Sequence, residues 1–369
     1  MTTMLRPLVI GTLAFLLVAG LAPAFPVWIV SLATLAFANA LVVLGLIILW
    51  RAGLVPFGQA LFYAIGAYAV ALITRYTGVR DVFVLIAAGA VLSCLAAFLA
   101  GLLLARYREI FFSMLSLAMS MILYGVLVKT ETLGSTDGFG VEPPTYFGYA
   151  PQGAMQLLVL FWLVLAFGAA AALLVFLYFR SVAGSLAVPV RDSEIRLEFL
   201  GVSVNRLIHL NLMIAGILAG IGGALAALSI EHVDPNMAYW TTSGGFVFVT
   251  ILAGAGSVAA AFVGSFLFEL LKSIAYDILP GAWQFFLGAV LLITILFLPE
   301  GIGSVFARLR RQKPQSTGAT PCARSSPSAT CKRASARSLP RATSMSPCRR
   351  CKPSASSAPM APARPPSSI

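Results

Sequence analysis

Residues 27–50 read VWIVSLATLAFANALVVLGLIILW, an uncharged run preceded by Pro26 and followed by Arg51. About 20 apolar residues suffice for an α-helix to cross the hydrocarbon core of a bilayer. Within that core each backbone polar group must be bonded inside its own segment, so such a run is read as a helix. Working outward, similar stretches occupy residues 7–24, 57–74, 82–105, 110–128, 155–179, 207–229, 242–262, 264–279 and 283–299. The expected fold is all-α, a polytopic membrane helix bundle of about ten transmembrane spans. The first span, with Arg6 before it and Pro23 after it, has the outline of a signal peptide. No A-x-A site leading into a soluble domain follows, so an uncleaved first helix is expected.

The whole chain agrees with that reading. Of its 369 residues, 59% are hydrophobic and 10% charged, with mean hydropathy +0.93, against about 25% charged in soluble domains. A soluble enzyme, a nucleic-acid-binding domain and a disordered scaffold are therefore disfavoured. The net charge of +12 divides unevenly: +3 over residues 1–313, and +9 over residues 314–369, which contain no acid. Two parts follow, a transmembrane domain over 1–313 and a disordered, low-complexity basic tail over 314–369.

Cysteine divides the same way, with Cys94 alone in the apolar part and Cys322, Cys331, Cys348 and Cys351 in the tail. No disulfide framework is implied for the membrane part. Cys348 and Cys351 have C-x-x-C spacing, but without a second pair or a nearby histidine they read as incidental.

Orientation follows from the basic residues of the short loops. With the N-terminus inside, cytoplasmic segments collect Arg6, Arg51, Arg106, Arg108, Arg180, Arg191, Arg196, Arg206, Arg308, Arg310, Arg311 and Lys313, while outer loops collect Arg75, Arg80 and Lys129. Both termini are expected to be cytoplasmic. Loops 129–154 and 230–241, the latter with Glu231, His232 and Asp234, then face outward.

Gly216, Gly220, Gly223, Gly254, Gly256 and Gly264 punctuate the later spans. Small residues let helix backbones approach closely in lipid, so helix packing is their expected role. Ionisable groups are scarce in the spans. Glu269 and Lys272, three apart, are placed to face each other on a helix; a self-neutralising pair is the economical reading and an ion relay the sharper one. His209 and His232 are too isolated to ligate a metal by spacing. In frame there is no G-x-x-x-x-G-K-[ST]. Neither a catalytic residue, a metal site nor a cofactor is expected.

The loop 180–206 is more informative. Arg191 to Gly201 is compatible with an amphipathic helix, having Ile195 and Phe199 at i and i+4, charges around them, and Gly201 as a stop. The mixed signs of Arg191, Asp192, Glu194, Arg196 and Glu198 argue against simple attraction to anionic lipid and favour docking to a protein partner.

Several stretches together resemble the permease subunits of branched-chain amino acid ABC transporters, the Liv family, more closely its LivM-type than its LivH-type member. Phe57-Gly58-Gln59-Ala60-Leu61-Phe62-Tyr63-Ala64-Ile65-Gly66-Ala67-Tyr68 is similar to the family's S-x-G-x-A-x-F-x-x-I-G-A-Y, with Pro56 in place of Ser. Ile110 to Ala118 resembles its Y-F-A-M-x-T-L-A helix, and Gly134 to Phe139 its T-G-G-x-x-G-L. Arg191 to Gly201, with Ala219 to Leu225, resembles its R-E-N-E-x-x-A-x-x-L-G and A-G-x-A-G-A-L elements; Leu298 to Ile302 resembles its L-P-x-G-L. The likeness covers about residues 30–313. Departures lie before the inner helix, where Gly184-Ser185-Leu186 replaces G-R-A and Pro189-Val190 replaces A-I. Pro189 is expected to stiffen the approach to that helix.

The resemblance implies an importer subunit in the bacterial inner membrane that works with a second permease, cytosolic ATP-binding subunits and a periplasmic substrate-binding protein. It implies ATPase docking through Arg191, Asp192, Glu194, Arg196, Glu198 and Gly201, and an outer mouth at Asp137 and Gly138. Branched-chain amino acids are the leading cargo; urea, short amides or other hydrophobic amino acids stay open. Lipid surrounds it, and no nucleic-acid partner is implied. The rival from another class is an ion-coupled secondary transporter of amino acids or other small polar solutes, using Glu269 and Lys272.

The tail has a second reading. Shifted by one frame, Ser357 to Ile369 permit codons spelling G-P-D-G-A-G-K-T-T-L-F-N, in which the Met360 and Ala361 codons force the second glycine. That string is a P-loop, whose N–H groups cradle phosphates and whose lysine reaches them. The tail is therefore expected to be frame-shifted ATPase sequence rather than a polybasic segment held to anionic lipid.

Overall fold

The computed structural model describes residues 15, 19–151, 153–254, 258–278 and 281–297. Most of the expected first span, Gly256, the Leu298–Ile302 motif, the basic cluster 308–313 and all four tail cysteines lie outside the described residues. The chain divides into two units, Met1–Pro314 and Gln315–Ile369, and the second also lies outside them.

Eleven α-helices are present among the described residues: α1 (Val27–Arg51), α2 (Gln59–Thr77), α3 (Val82–Leu104), α4 (Glu109–Lys129), α5 (Ala154–Arg180), α6 (Val182–Asp192), α7 (Glu194–Phe199), α8 (Val204–Ile230), α9 (Trp240–Ala253), α10 (Val258–Ile278) and α11 (Trp283–Phe297). Seven of them, α1 to α5, α8 and α10, are long and apolar enough to cross a membrane. The expected count of about ten is thus not reached among the described residues.

The first span lies almost wholly outside the described residues; elsewhere the difference has a local cause. The stretch 242–262 is not one span: α9 ends at Ala253, and Gly254 caps it with φ 77°, ψ 144°, a conformation that costs a residue with Cβ far more than glycine. The next helix begins at Val258 rather than 264. At about 1.5 Å per residue, α9 reaches only about 21 Å, short of the roughly 30 Å hydrocarbon core, while α11 is followed to Phe297, the last described residue. Hydropathy alone registers neither the helix break nor the lost length.

Helix ends follow ordinary capping chemistry. After α1, Gly53 N–H donates to Trp50 O (3.0 Å) and Leu54 N–H to Leu49 O (3.1 Å), the paired bonds of a Schellman motif. The segment 182–199 is two helices, not one. Ser181 caps α6, accepting from Gly184 N–H at 3.2 Å, so the helix starts earlier than expected and holds Pro189 inside it. Ser193, extended at φ −167°, separates α6 from α7. The expected stop at Gly201 is realised, with Gly201 N–H to Glu198 O and Val202 N–H to Leu197 O at 2.9 and 3.1 Å.

The centre of the bundle is α8, which packs most extensively against α1, α2 and α3. Its small residues let these helices close in. A Cβ at Gly222 would lie 2.7 Å from Ala38 O, and one at Gly45 of α1 would lie 2.9 Å from Ala215 O. Cβ atoms at Gly216, Gly220 and Gly223 would overlap Ala97, Ser93 and Tyr63 O respectively. At Gly264 the neighbour is Ala253 Cβ, at 3.0 Å. The interior formed in this way includes Leu41, Leu44, Ile47, Leu85, Ile208 and Leu212, all fully enclosed.

Two short strands, β1 (Phe139–Gly140) and β2 (His232–Val233), pair antiparallel with Phe139 opposite Val233. They tie the loop after α4 to the segment after α8.

Candidate functional site

At the end of the bundle where α5 stops and α8 starts, the 182–201 segment presents an apolar surface among charges. Ile195, Phe199 and Leu200 are 68%, 88% and 78% exposed, whereas Leu197 is 4% exposed and anchors α7 to the bundle. Arg191, Asp192, Arg196 and Glu198 are exposed. Glu194 differs from them: its Oε1 accepts from Arg108 Nε at 2.6 Å, and the pair is about one-third exposed. The same guanidinium reaches Ala105 O (2.6 Å), Tyr107 O (3.1 Å) and Asn205 Oδ1 (2.6 Å). Nearby, Arg51 lies over the Phe179 ring at 3.9 Å from its centroid.

In the sequence Arg108 is marked only as one basic residue of a short inner loop. The partner-to-be, Glu194, is 86 residues away in the chain, so no local spacing marks the pair. The exposed apolar trio was partly legible, because Ile195 and Phe199 recur at helical spacing.

At the opposite end, Asp137 is exposed and accepts from Thr136 Oγ1 at 3.2 Å. Gly138 is held by its N–H to Gly134 O (3.0 Å), and a Cβ there would overlap Val233 O. The two residues therefore sit together at the edge of the β1–β2 pairing. Around it, Phe139 packs edge-on against Tyr68 (6.0 Å) and under Arg75 (5.3 Å). Arg80 pairs with Glu142, and Gln156 Nε2 donates to Glu231 Oε1 at 2.8 Å. Burial pushes the Tyr146 hydroxyl up to about 12, and no hydrogen-bond partner for it is found among the described residues.

Between the ends, the interior holds polar groups bonded across helices. Gln59 Nε2 donates to Ala215 O (2.9 Å), Ser243 Oγ accepts from Ala60 N–H (3.0 Å), and Tyr178 donates to Asn211 Oδ1. Glu269 is buried; Lys272 Nζ lies 3.6 Å from its Oε2, and Asn39 Nδ2 donates to its Oε1 at 2.9 Å. The expected helix pair is present, with Asn39 of α1 as a third member that spacing did not reveal. His209 packs edge-on against Phe98. Among the described residues no group of three or more His, Cys, Asp or Glu could hold a metal ion.

The family model for the permease component of branched-chain amino acid transport systems matches residues 28–295, taking in all eleven helices except Val27 and residues 296–297. The chain is 28% identical over 296 residues to the high-affinity branched-chain amino acid transport permease LivM of Escherichia coli, covering 74% of this chain and 69% of that one. It is 27% identical over 298 residues to LivM of Salmonella typhimurium, with the same coverage. A shorter match, 28% over 182 residues, joins 46% of it to 48% of the autoinducer 2 import permease LsrC of Klebsiella pneumoniae. No solved structure matches. The matched family consists of membrane components of ABC transporters, not enzymes. With seven helices long and apolar enough to cross a membrane and a family match over most of its length, this chain belongs to the permease components of branched-chain amino acid transport systems.

Proposed function

We propose that this chain is the LivM-type permease of an ABC importer that carries branched-chain amino acids inward across the bacterial inner membrane. Both termini lie on the cytoplasmic side in this reading, which the positive charges of the short loops support. The partners are a second permease, cytosolic ATP-binding subunits and a periplasmic substrate-binding protein. The carrying observation is the family match over 28–295, supported by an exposed apolar–charged segment on one end of the bundle. Ile195, Phe199 and Leu200 supply apolar contact to the ATPase, with Arg191, Asp192, Arg196 and Glu198 as the polar rim and Gly201 closing the helix. The 137–139 segment with the β1–β2 pairing forms the outer mouth.

The test is uptake of radiolabelled leucine, isoleucine or valine into proteoliposomes containing the chain with its three classes of partner. Uptake that needs internal-face ATP and the binding protein supports the reading. Uptake driven by an ion gradient without ATP overturns it.

That outcome belongs to a second reading, an ion-coupled secondary transporter, which buried Glu269 with its half-buried partners Lys272 and Asn39 favours. Intramembrane ionisable groups often mark ion pathways. In that case neutralising both, Glu269→Gln with Lys272→Met, abolishes uptake; in the first reading it leaves ATP-dependent uptake largely intact.

A further inference from the structure

We propose that Arg108 is the positioning residue that couples the docking segment to the packed body of the bundle. The inference rests on the importer reading above and goes beyond it by naming the part through which movement of the docking segment reaches the helices.

Helix α7 is six residues long and is set off from α6 by the extended Ser193. Leu197 is its buried side chain, while Ile195, Phe199 and Leu200 point outward. A short helix held by one apolar anchor moves readily unless something else fixes it. Arg108 does so. Its guanidinium bonds Glu194 at the start of α7, the carbonyls of Ala105 and Tyr107 in the turn between α3 and α4, and Asn205 in the first turn of α8.

Arginine is suited to this role, since its planar fork carries five N–H donors in fixed directions and is always charged. Bonds from a guanidinium to a carboxylate are also stronger than neutral ones. Three chain segments thus share one side chain. Two of the helices it joins, α3 and α8, pack extensively against each other. A displacement of α7 by a bound ATPase is therefore delivered to α3 and α8 together, as a rigid-body shift rather than a local one.

The experiment uses the complete importer in proteoliposomes and reads solute taken up per ATP hydrolysed, with co-purification of the ATPase as a check on assembly. Arg108→Ala is expected to lower that ratio by roughly three- to tenfold while the ATPase still co-purifies. Arg108→Lys, which keeps the charge but not the fork, is expected to fall between. Glu194→Gln, which removes the charge of the partner but leaves the fork's other acceptors, is expected to lower the ratio by less than Arg108→Ala. A purely structural role would lower uptake and hydrolysis in parallel and leave the ratio unchanged, which overturns the proposal; so does a ratio unchanged in Arg108→Ala. Should Arg108→Ala fail to assemble, Asn205→Ala and Arg108→Lys carry the same test, and an unchanged ratio in both overturns it. Failure of the importer reading is separate, because the unaltered assembly then shows no ATP-dependent uptake, and this proposal falls with it.

Discussion

Asn39 Nδ2 donates to Glu269 Oε1 at 2.9 Å, joining α1 to α10 across 230 residues of chain in the apolar interior. Glu269 also faces Lys272 at 3.6 Å. Removing one member of a buried pair leaves an uncompensated charge, which costs far more than removing both. Lys272→Met is expected to destabilise the protein by about 2–3 kcal/mol, below the roughly 3–5 kcal/mol of a fully enclosed pair because Lys272 retains solvent access. The double change Glu269→Gln with Lys272→Met is expected to cost less. Thermal unfolding of both variants in detergent checks the order.

Close helix approach makes a second prediction. At Gly222 a methyl group meets Ala38 O at 2.7 Å, a backbone atom that can yield only if α1 moves. Gly222→Ala is expected to cost about 1–3 kcal/mol. Gly125 in α4 has nothing within 4 Å of an added Cβ. Gly125→Ala is expected to be neutral or stabilising by up to about 1 kcal/mol, since alanine is the better helix former. Melting temperatures of the two variants, measured side by side, decide it.

At the docking segment, Phe199→Ala and Leu200→Ala are expected to weaken ATPase association by about tenfold each, as truncation of exposed aromatic or apolar anchors at an interface centre does. Folding should be unaffected, because both side chains are largely exposed in the isolated chain. Binding of purified ATPase to detergent-solubilised variants measures the first effect, and thermal unfolding the second.

Orientation is open to direct labelling. In a Cys94→Ser background that also lacks the tail cysteines, Asp137→Cys is expected to react with an impermeant maleimide added outside whole spheroplasts. Glu198→Cys is expected to react only after the membrane is opened. The reverse pattern overturns the assignment of both termini to the cytoplasm.

Residues 314–369 carry a prediction at the level of DNA. Reading the gene from codon 305 in all three frames is expected to reveal an open frame spelling the P-loop near codons 357–369 and continuing into an ATPase. A closed frame there would make the basic tail genuine coding sequence.

The sequence by itself determined that this is a helical membrane protein, because uncharged runs such as 27–50 have no other stable home. It also determined where some helices stop, as at Gly201, since capping depends on residues only a few positions apart. The Glu269–Lys272 pair was legible for the same reason of helical spacing. Tertiary structure decided what depends on distant residues or on backbone conformation. The break at Gly254, which divides an apolar run that hydropathy treats as continuous, turns on a positive φ rather than on polarity. The division of the 182–199 segment at Ser193, the Asn39–Glu269 bond and the engagement of Glu194 by Arg108 are likewise invisible to composition. Each joins or separates groups through the fold, where proximity in space is not proximity along the chain.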